Sequence, residues 1–275
     1  MTSSKLKICA KGSRKTGKEF IKETKYLTSI SDCIEIDFNY PHDRNFTLEI
    51  NFLRQLKKDK NLGYAVHSQY LSGSLNDFNE IIRKETIKQA YSSIDNAREI
   101  GAKVVTIHPA LEPYGLRIEK RKELELDSYK KIAIYASKKE ILVGLENEAR
   151  TNFWFPDRAC KLELLTETIM KVDNPTFGLT LDIGHANVSG EDYLSAISKY
   201  SRILFHIHAH DNYGNPEINI HEFKRPDPHL APGQGKIDWK EIVKTLENTN
   251  YQGMFELECE INGLGKAIQY IKSLE

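Results

Sequence analysis

Nothing in this sequence is long and apolar enough to cross a membrane as a helix, since no apolar run reaches the roughly eighteen residues required. Cysteine is sparse: Cys9, Cys33, Cys160 and Cys259 stand far apart and form no CxxC pair, which argues against a zinc knuckle or a disulfide scaffold. Free, reduced thiols in a cytoplasmic protein are the expectation. The amino-terminal MTSSKLKICAKGSRK is basic but has no apolar core of signal-peptide length. Neither sign of charge is in excess, with 39 Lys and Arg against 39 Asp and Glu, so the balance announces no polyanionic partner and leaves only a local basic face open. No GxGxxG follows the first predicted strand, which disfavours a dinucleotide fold. Linkers, low-complexity tracts and short repeats are missing too, and 275 residues suit one large α/β domain spanning 1–275.

What the chain does have is histidine, concentrated in one place. Five of the nine lie in 204–238, LFHIHAHDNYGNPEINIHEFKRPDPHLAPGQGKID, with Asp211, Asp227 and a closing PGQG turn. An apolar strand that runs into clustered imidazoles and carboxylates is a poor packing unit, because buried polar groups need partners or a metal. The stretch therefore predicts the lid and part of the floor of a metal site.

Elsewhere strand-like runs alternate with helical patterns. Predicted strands cover 6–10, 33–38, 63–69, 102–109, 141–148, 177–184, 202–211 and 253–260. Helices follow at 17–29, 46–60, 79–100, 119–138, 157–171, 190–199, 238–248 and 263–274; in the third, Ile81, Ile82, Ile87, Ala90, Ile94 and Ala97 recur near helical spacing. Such alternation implies a parallel sheet covered by helices. Eight units in this length match a closed (β/α)8 TIM barrel better than an open sheet.

In such a barrel the chemistry gathers at the C-terminal strand ends. Helix-covered outer faces take the large apolar residues, so the alternating polar set must point inward. That places His67, His108, Glu146, Asp182, His208 and Glu258 around one mouth, from six different strands. In the seventh strand Phe205, Ile207 and Ala209 are expected outside and His206, His208 and His210 inside, with His206 too deep to reach the mouth. Glu256 shares a face with Glu258, and Glu258 is preferred because it lies nearer the strand end. Glu35 and Asp37 read as structural or functional alike, His42 and His221 as loop histidines, and Arg150, Trp154 and Phe155 as a candidate pocket wall. The run EKRKELELD (119–127) reads as a solvated helix face.

Taken in order, HSQYL (67–71), IHPA (107–110), GLENE (144–148), LDIGH (181–185), HAHDN (208–212), DPHLAPGQGKIDW (227–239) and FELE (255–258) form a set that resembles the xylose-isomerase-like barrel superfamily. That superfamily holds sugar and sugar-phosphate isomerases and epimerases, and also the apurinic endonuclease IV family. Resemblance to the sugar enzymes implies one divalent metal, Mn, Mg, Co or Zn, on Glu146, Asp182, His208 and Glu258. Glu146 and Glu258 then act as the acid/base pair through an enediolate, and His185 contacts substrate. His67, His108, Tyr70 and Arg150 would line the pocket.

Resemblance to the endonuclease branch implies instead up to three zinc ions on His67, His108, Glu146, Asp182, His185, His208, Asp227, His229 and Glu258. There a zinc-bound hydroxide attacks a phosphodiester at an abasic site, and Tyr70 and Leu71 match residues inserted into DNA. ENEAR, DIGH and HAHDN depart from that branch's ENTAG, DTCH and HLNDS, and with HLAPGQGKIDW look more like the isomerase type. The expectation is a metal-dependent isomerase or epimerase of a small sugar, sugar phosphate or polyol, with the nuclease as the alternative. Nucleic acid is a partner only in that alternative; no membrane partner is expected, and a homo-oligomer is left open.

Overall fold

Each predicted strand is a short, largely apolar run, and each becomes one stave of a barrel. In the computed structural model, which describes residues 6–38, 46–60, 62–68, 74–111, 117–150, 156–214 and 227–275, the staves are joined in chain order. They are β1 (Lys7–Lys11), β2 (Cys33–Phe38), β3 (Gly63–Ser68), β4 (Val104–Ile107), β5 (Leu142–Glu146), β6 (Phe177–Asp182), β7 (Leu204–Ala209) and β8 (Met254–Leu257). All pairings are parallel, and β8 closes on β1. The helices between them are α1 (Gly17–Ile30), α2 (Phe46–Lys60), α3 (Glu80–Ile100), α4 (Ile118–Lys139), α5 (Asp157–Cys160), α6 (Leu162–Val172), α7 (Ile183–Ser189), α8 (Tyr193–Lys199), α9 (Trp239–Asn248) and α10 (Ile261–Lys272). Among the described residues no helix is long and apolar enough to cross a membrane.

Local chemistry sets the ends of these elements. Asn79 accepts the Ile81 N–H at the start of α3, and Gly101 closes that helix in the left-handed region at φ 72°. The sixth strand is shorter than predicted: it stops at Asp182, whose carboxylate accepts the His185 N–H and starts α7 where strand was expected. The predicted helix 157–171 is likewise split, because Lys161 is extended and separates α5 from α6.

Ile34, Ile36, Tyr64, Val66, Val105, Ile107, Val143, Leu145, Leu179, Leu181, Ile207, Phe255 and Leu257 are buried in the core between sheet and helices. The bottom of the barrel interior holds a smaller apolar group of Cys9, Cys33, Ala65, Val104 and Met254. Phe205, expected outside with Ile207, packs against this inner group instead. It is the extra residue where the β6–β7 register shifts between Leu179 and Thr180, and a Cβ on Gly178 would collide with its ring.

The expectation of four free thiols is also corrected. Cys9 and Cys33 face each other across β1 and β2 and are joined as a disulfide, whereas Cys160 and Cys259 are free and buried. Twenty-four residues of separation hid a contact that the pairing of β1 with β2 creates.

Candidate metal centre at the barrel mouth

The parallel register sets Asp182 beside His208 at the ends of β6 and β7, while β5 ends in Glu146. Glu258 follows β8, with its N–H donated to the Ala209 carbonyl. Glu146, Asp182, His208 and Glu258 each bring one ligand atom within 4.8 Å of the others. Glu256 is not in that group; it lies lower, level with His208 in the register and almost fully buried. Burial pushes its carboxyl well above the usual range, reinforced by Glu258 and Glu35 and only partly opposed by His208.

Support from behind orients these ligands. His208 Nδ1 lies 2.7 Å from Glu146 Oε1, and its Nε2 lies 3.1 Å from Glu35 Oε1. His206 Nε2 is 2.6 Å from the other oxygen of Glu35, while its Nδ1 faces the Met254 carbonyl at 3.0 Å. Asn147 clasps the Asp182 backbone in both directions, at 2.9 Å and 2.8 Å. Burial alone would raise the Glu146 carboxyl, but His208, His67 and His108 hold it well below its ordinary value. Burial would lower the His208 imidazole, and the Glu35 and Glu146 carboxylates outweigh it.

Glu146 Oε2 and Asp182 Oδ2 are buried and accept no hydrogen bond among the described residues. Buried carboxylate oxygens are normally satisfied, and these two, with imidazole nitrogens of His67, His185 and His210 standing 3.4–3.5 Å away, are open to a cation. Three carboxylates and one imidazole form a hard donor set that fits Mn2+, Mg2+, Co2+ or Zn2+.

Three further groups adjoin the quartet among the described residues, one of them Glu35, His67 and His208. His67, His108 and Glu146 form another, with His67 Nε2 3.5 Å and His108 Nδ1 3.7 Å from Glu146 Oε2 and with Glu148 paired to His108. His185, His210, Asp227 and His229 form the third. His185 Nδ1 donates to the Asn147 carbonyl at 2.9 Å, and its Nε2 faces Asp227 at 3.5 Å. His210 Nε2 sits 2.9 Å and 3.0 Å from the two Asp227 oxygens, and His229 stacks on its ring at 3.8 Å between centroids.

Sequence reasoning passed over three members of this mouth. His210 was placed inward by strand alternation but not counted as a ligand. Glu35 was left undecided, and its two imidazole partners identify it as the support of His208. Lys11, paired with Glu258, carried no motif.

Asp211 moves the other way. One residue past His210 it points out of the mouth, fully buried, and accepts from Gly233 N at 2.9 Å, Ile237 N at 3.2 Å and Trp239 Nε1 at 2.9 Å. It fastens the PGQG turn to the barrel; a Cβ on Gly235 would strike its carboxylate. The Arg150 guanidinium is 3.5 Å from Asp157, its side chain is more than half exposed, and its backbone N–H donates to Ser189. Tyr70, Leu71, Trp154, Phe155, His42 and His221 lie outside the described residues.

Comparison with known proteins agrees with this architecture. Residues 31–274 match the family model for the xylose isomerase-like TIM barrel. The protein MJ1311 of Methanocaldococcus jannaschii is 27% identical over 217 residues, covering 76% of this chain and 68% of its own. An inosose dehydratase of Clostridium beijerinckii is 25% identical over 245 residues, covering 82% and 76%. Among solved structures, a D-tagatose 3-epimerase-like protein superposes with a TM-score of 0.84 at 23% identity, over 98% of this chain and 97% of that one. The 3-keto-D-glucoside 4-epimerase YcjR from E. coli gives 0.78 at 19% identity, over 98% and 100%. With nearly the whole barrel matched, the chain belongs to the xylose isomerase-like TIM barrel family.

Proposed function

We propose that this protein is a metal-dependent isomerase or epimerase that moves a proton at a carbon beside a carbonyl in a small sugar, sugar phosphate or polyol. The observation that carries the reading is the quartet, in which glutamates from β5 and β8 flank one hard-cation site. A divalent cation bound there would polarise neighbouring substrate oxygens and acidify the adjacent C–H bond. One of Glu146 and Glu258 removes the proton from carbon, and the other returns one from its own side. Glu35 keeps the His208 ring in place, and Asn147 fixes His185 through its carbonyl so that Nε2 faces Asp227 at the mouth. Relatives whose names carry sugar epimerase and inosose dehydratase activities support the same substrate class.

The test is deuterium uptake. Protein loaded with Mn2+, Mg2+ or Co2+ and incubated with ketoses in D2O is expected to wash label into one carbon position. Glu146→Gln is expected to cut the exchange by roughly 10²–10⁴-fold, and unchanged turnover in that variant sinks the mechanism.

A second reading is favoured by the His67–His108–Glu146 and His185–His210–Asp227–His229 groups, which give a three-metal phosphodiesterase acting at abasic sites in DNA its ligands, with His210 in addition. Metal stoichiometry separates the two. About three zinc ions per chain, some lost in His229→Ala, together with cleavage of an abasic-site duplex, would favour hydrolysis. One metal that survives His229→Ala would favour isomerisation.

A further inference from the structure

The amino-terminal KGSRK segment belongs to no motif, yet it lies at the barrel mouth. It leaves the C-terminal end of β1, and Lys11, Gly12, Arg14 and Lys15 line a cavity of about 430 Å³ that also touches His229 and Glu258. Glu258 belongs both to this cavity and to the quartet, so a molecule seated in the cavity meets the metal centre at one side and a row of cations at the other.

The row is held in shape. A Cβ on Gly12 would collide with the Glu35 carbonyl, so the chain can pass this close to β2 only as glycine. Ser13 Oγ accepts the Lys15 N–H at 3.1 Å and donates to Glu23, while the Gly17 N–H donates to Glu49 at 2.8 Å. Arg14 Nε reaches Asp37 at 3.4 Å yet its side chain is 71% exposed, and Lys15 is exposed as well. The acids that share the cavity are otherwise engaged or solvated: Glu23 holds Ser13, and Glu260 stands exposed before α10. Lys11 is paired with Glu258, and a cation in the quartet would compete for that carboxylate and turn the ammonium toward the cavity.

We propose that the substrate is a phosphorylated sugar or polyol whose phosphate monoester is held by Lys11, Arg14 and Lys15 while its carbon chain lies over Glu258. This rests on the carbon-acid reading of the quartet and narrows its substrate class. A dianion with three terminal oxygens matches three cations on one tight segment, and the arginine fork suits bidentate phosphate recognition. A carboxylate offers one charge and two oxygens, and would leave part of the row unused.

Calorimetric titration of the Mg2+-loaded protein with glycerol 3-phosphate, glycerate and glycerol tests the subsite without turnover. Glycerol 3-phosphate is expected to bind about tenfold or more tighter than either of the others. Arg14→Ala combined with Lys15→Ala is expected to erase that preference, whereas Lys122→Ala on α4 keeps it. Equal affinity for all three probes would overturn the proposal. So would an Arg14/Lys15 variant that binds glycerol 3-phosphate as the parent does, since the phosphate would then sit on the metal. Loss of deuterium exchange with the phosphate preference intact would instead sink the reaction and leave the subsite standing.

Discussion

On β5, Val143 and Leu145 face the helices while Gly144 and Glu146 face the barrel axis; on β6, Leu179 and Leu181 stand back to back with Thr180 and Asp182. The outer face is aliphatic and aromatic from end to end. The inner face is apolar only at the bottom, around Cys9, Cys33, Val104 and Met254, and turns polar within one layer. Thr106 and Thr180 meet at 3.1 Å across the middle, Glu35 and His206 pair there, and Glu256 is buried nearby. Barrel interiors of this kind are usually filled with branched aliphatic layers. Here the apolar free energy of folding comes from the shell between strands and helices, which leaves the inside free to hold charges that water would stabilise better.

That division is most sharply broken by changing one inward and one outward residue. Glu146→Gln is expected to cut proton exchange by roughly 10²–10⁴-fold. The metal-free protein should stay folded but lose some of its thermal midpoint, because the carboxylate that His208, His67 and His108 hold ionised is replaced by a neutral amide. Phe255→Ala, on the adjoining face of β8, removes a fully buried ring of the shell and is expected to cost about 3–5 kcal/mol in urea unfolding. Its folded fraction should still bind metal at parental stoichiometry. If Phe255→Ala strips the metal at unchanged stability, or Glu146→Gln unfolds the barrel, the two faces are not separable in this way.

Much of this contrast was legible in the residues. All eight strands and their order follow from alternation, because a parallel stave needs one face for helices and one for the axis, and the chain spells both. Strand-end position likewise brought the quartet residues together in advance. What escaped depends on contacts between distant segments. LDIG reads on as strand, and only the Asp182 carboxylate taking the His185 N–H turns it into α7. The Cys9–Cys33 bond exists because the pairing of β1 with β2 sets the two residues in register. Lys11 stayed hidden because the family motifs begin at the third strand, and a lysine in a basic amino-terminal run looks solvated until Glu258 is seen beside it.

The chain just past β7 compresses the same contrast into two consecutive residues and yields the smallest of the expected effects. His210 turns toward Asp227 and the metal-binding groups, while Asp211 turns away and takes donors from Gly233, Ile237 and Trp239. If Asp211 is a fastener and not a ligand, Asp211→Asn should weaken the hold on the turn that follows Asp227 and His229. One carboxylate oxygen becomes an NH2 facing buried donors, and the expected cost is about 1–3 kcal/mol. Metal on the quartet should be retained, because none of its ligands touches Asp211 in the group that holds them. His210→Ala is the counterpart: it should lower binding of any metal held with His185, Asp227 and His229 while the turn keeps its protection against amide exchange. An Asp211→Asn protein of parental stability that has lost metal would reverse the assignment, and the alternation that divides inside from outside would then fail at the strand end where it matters most.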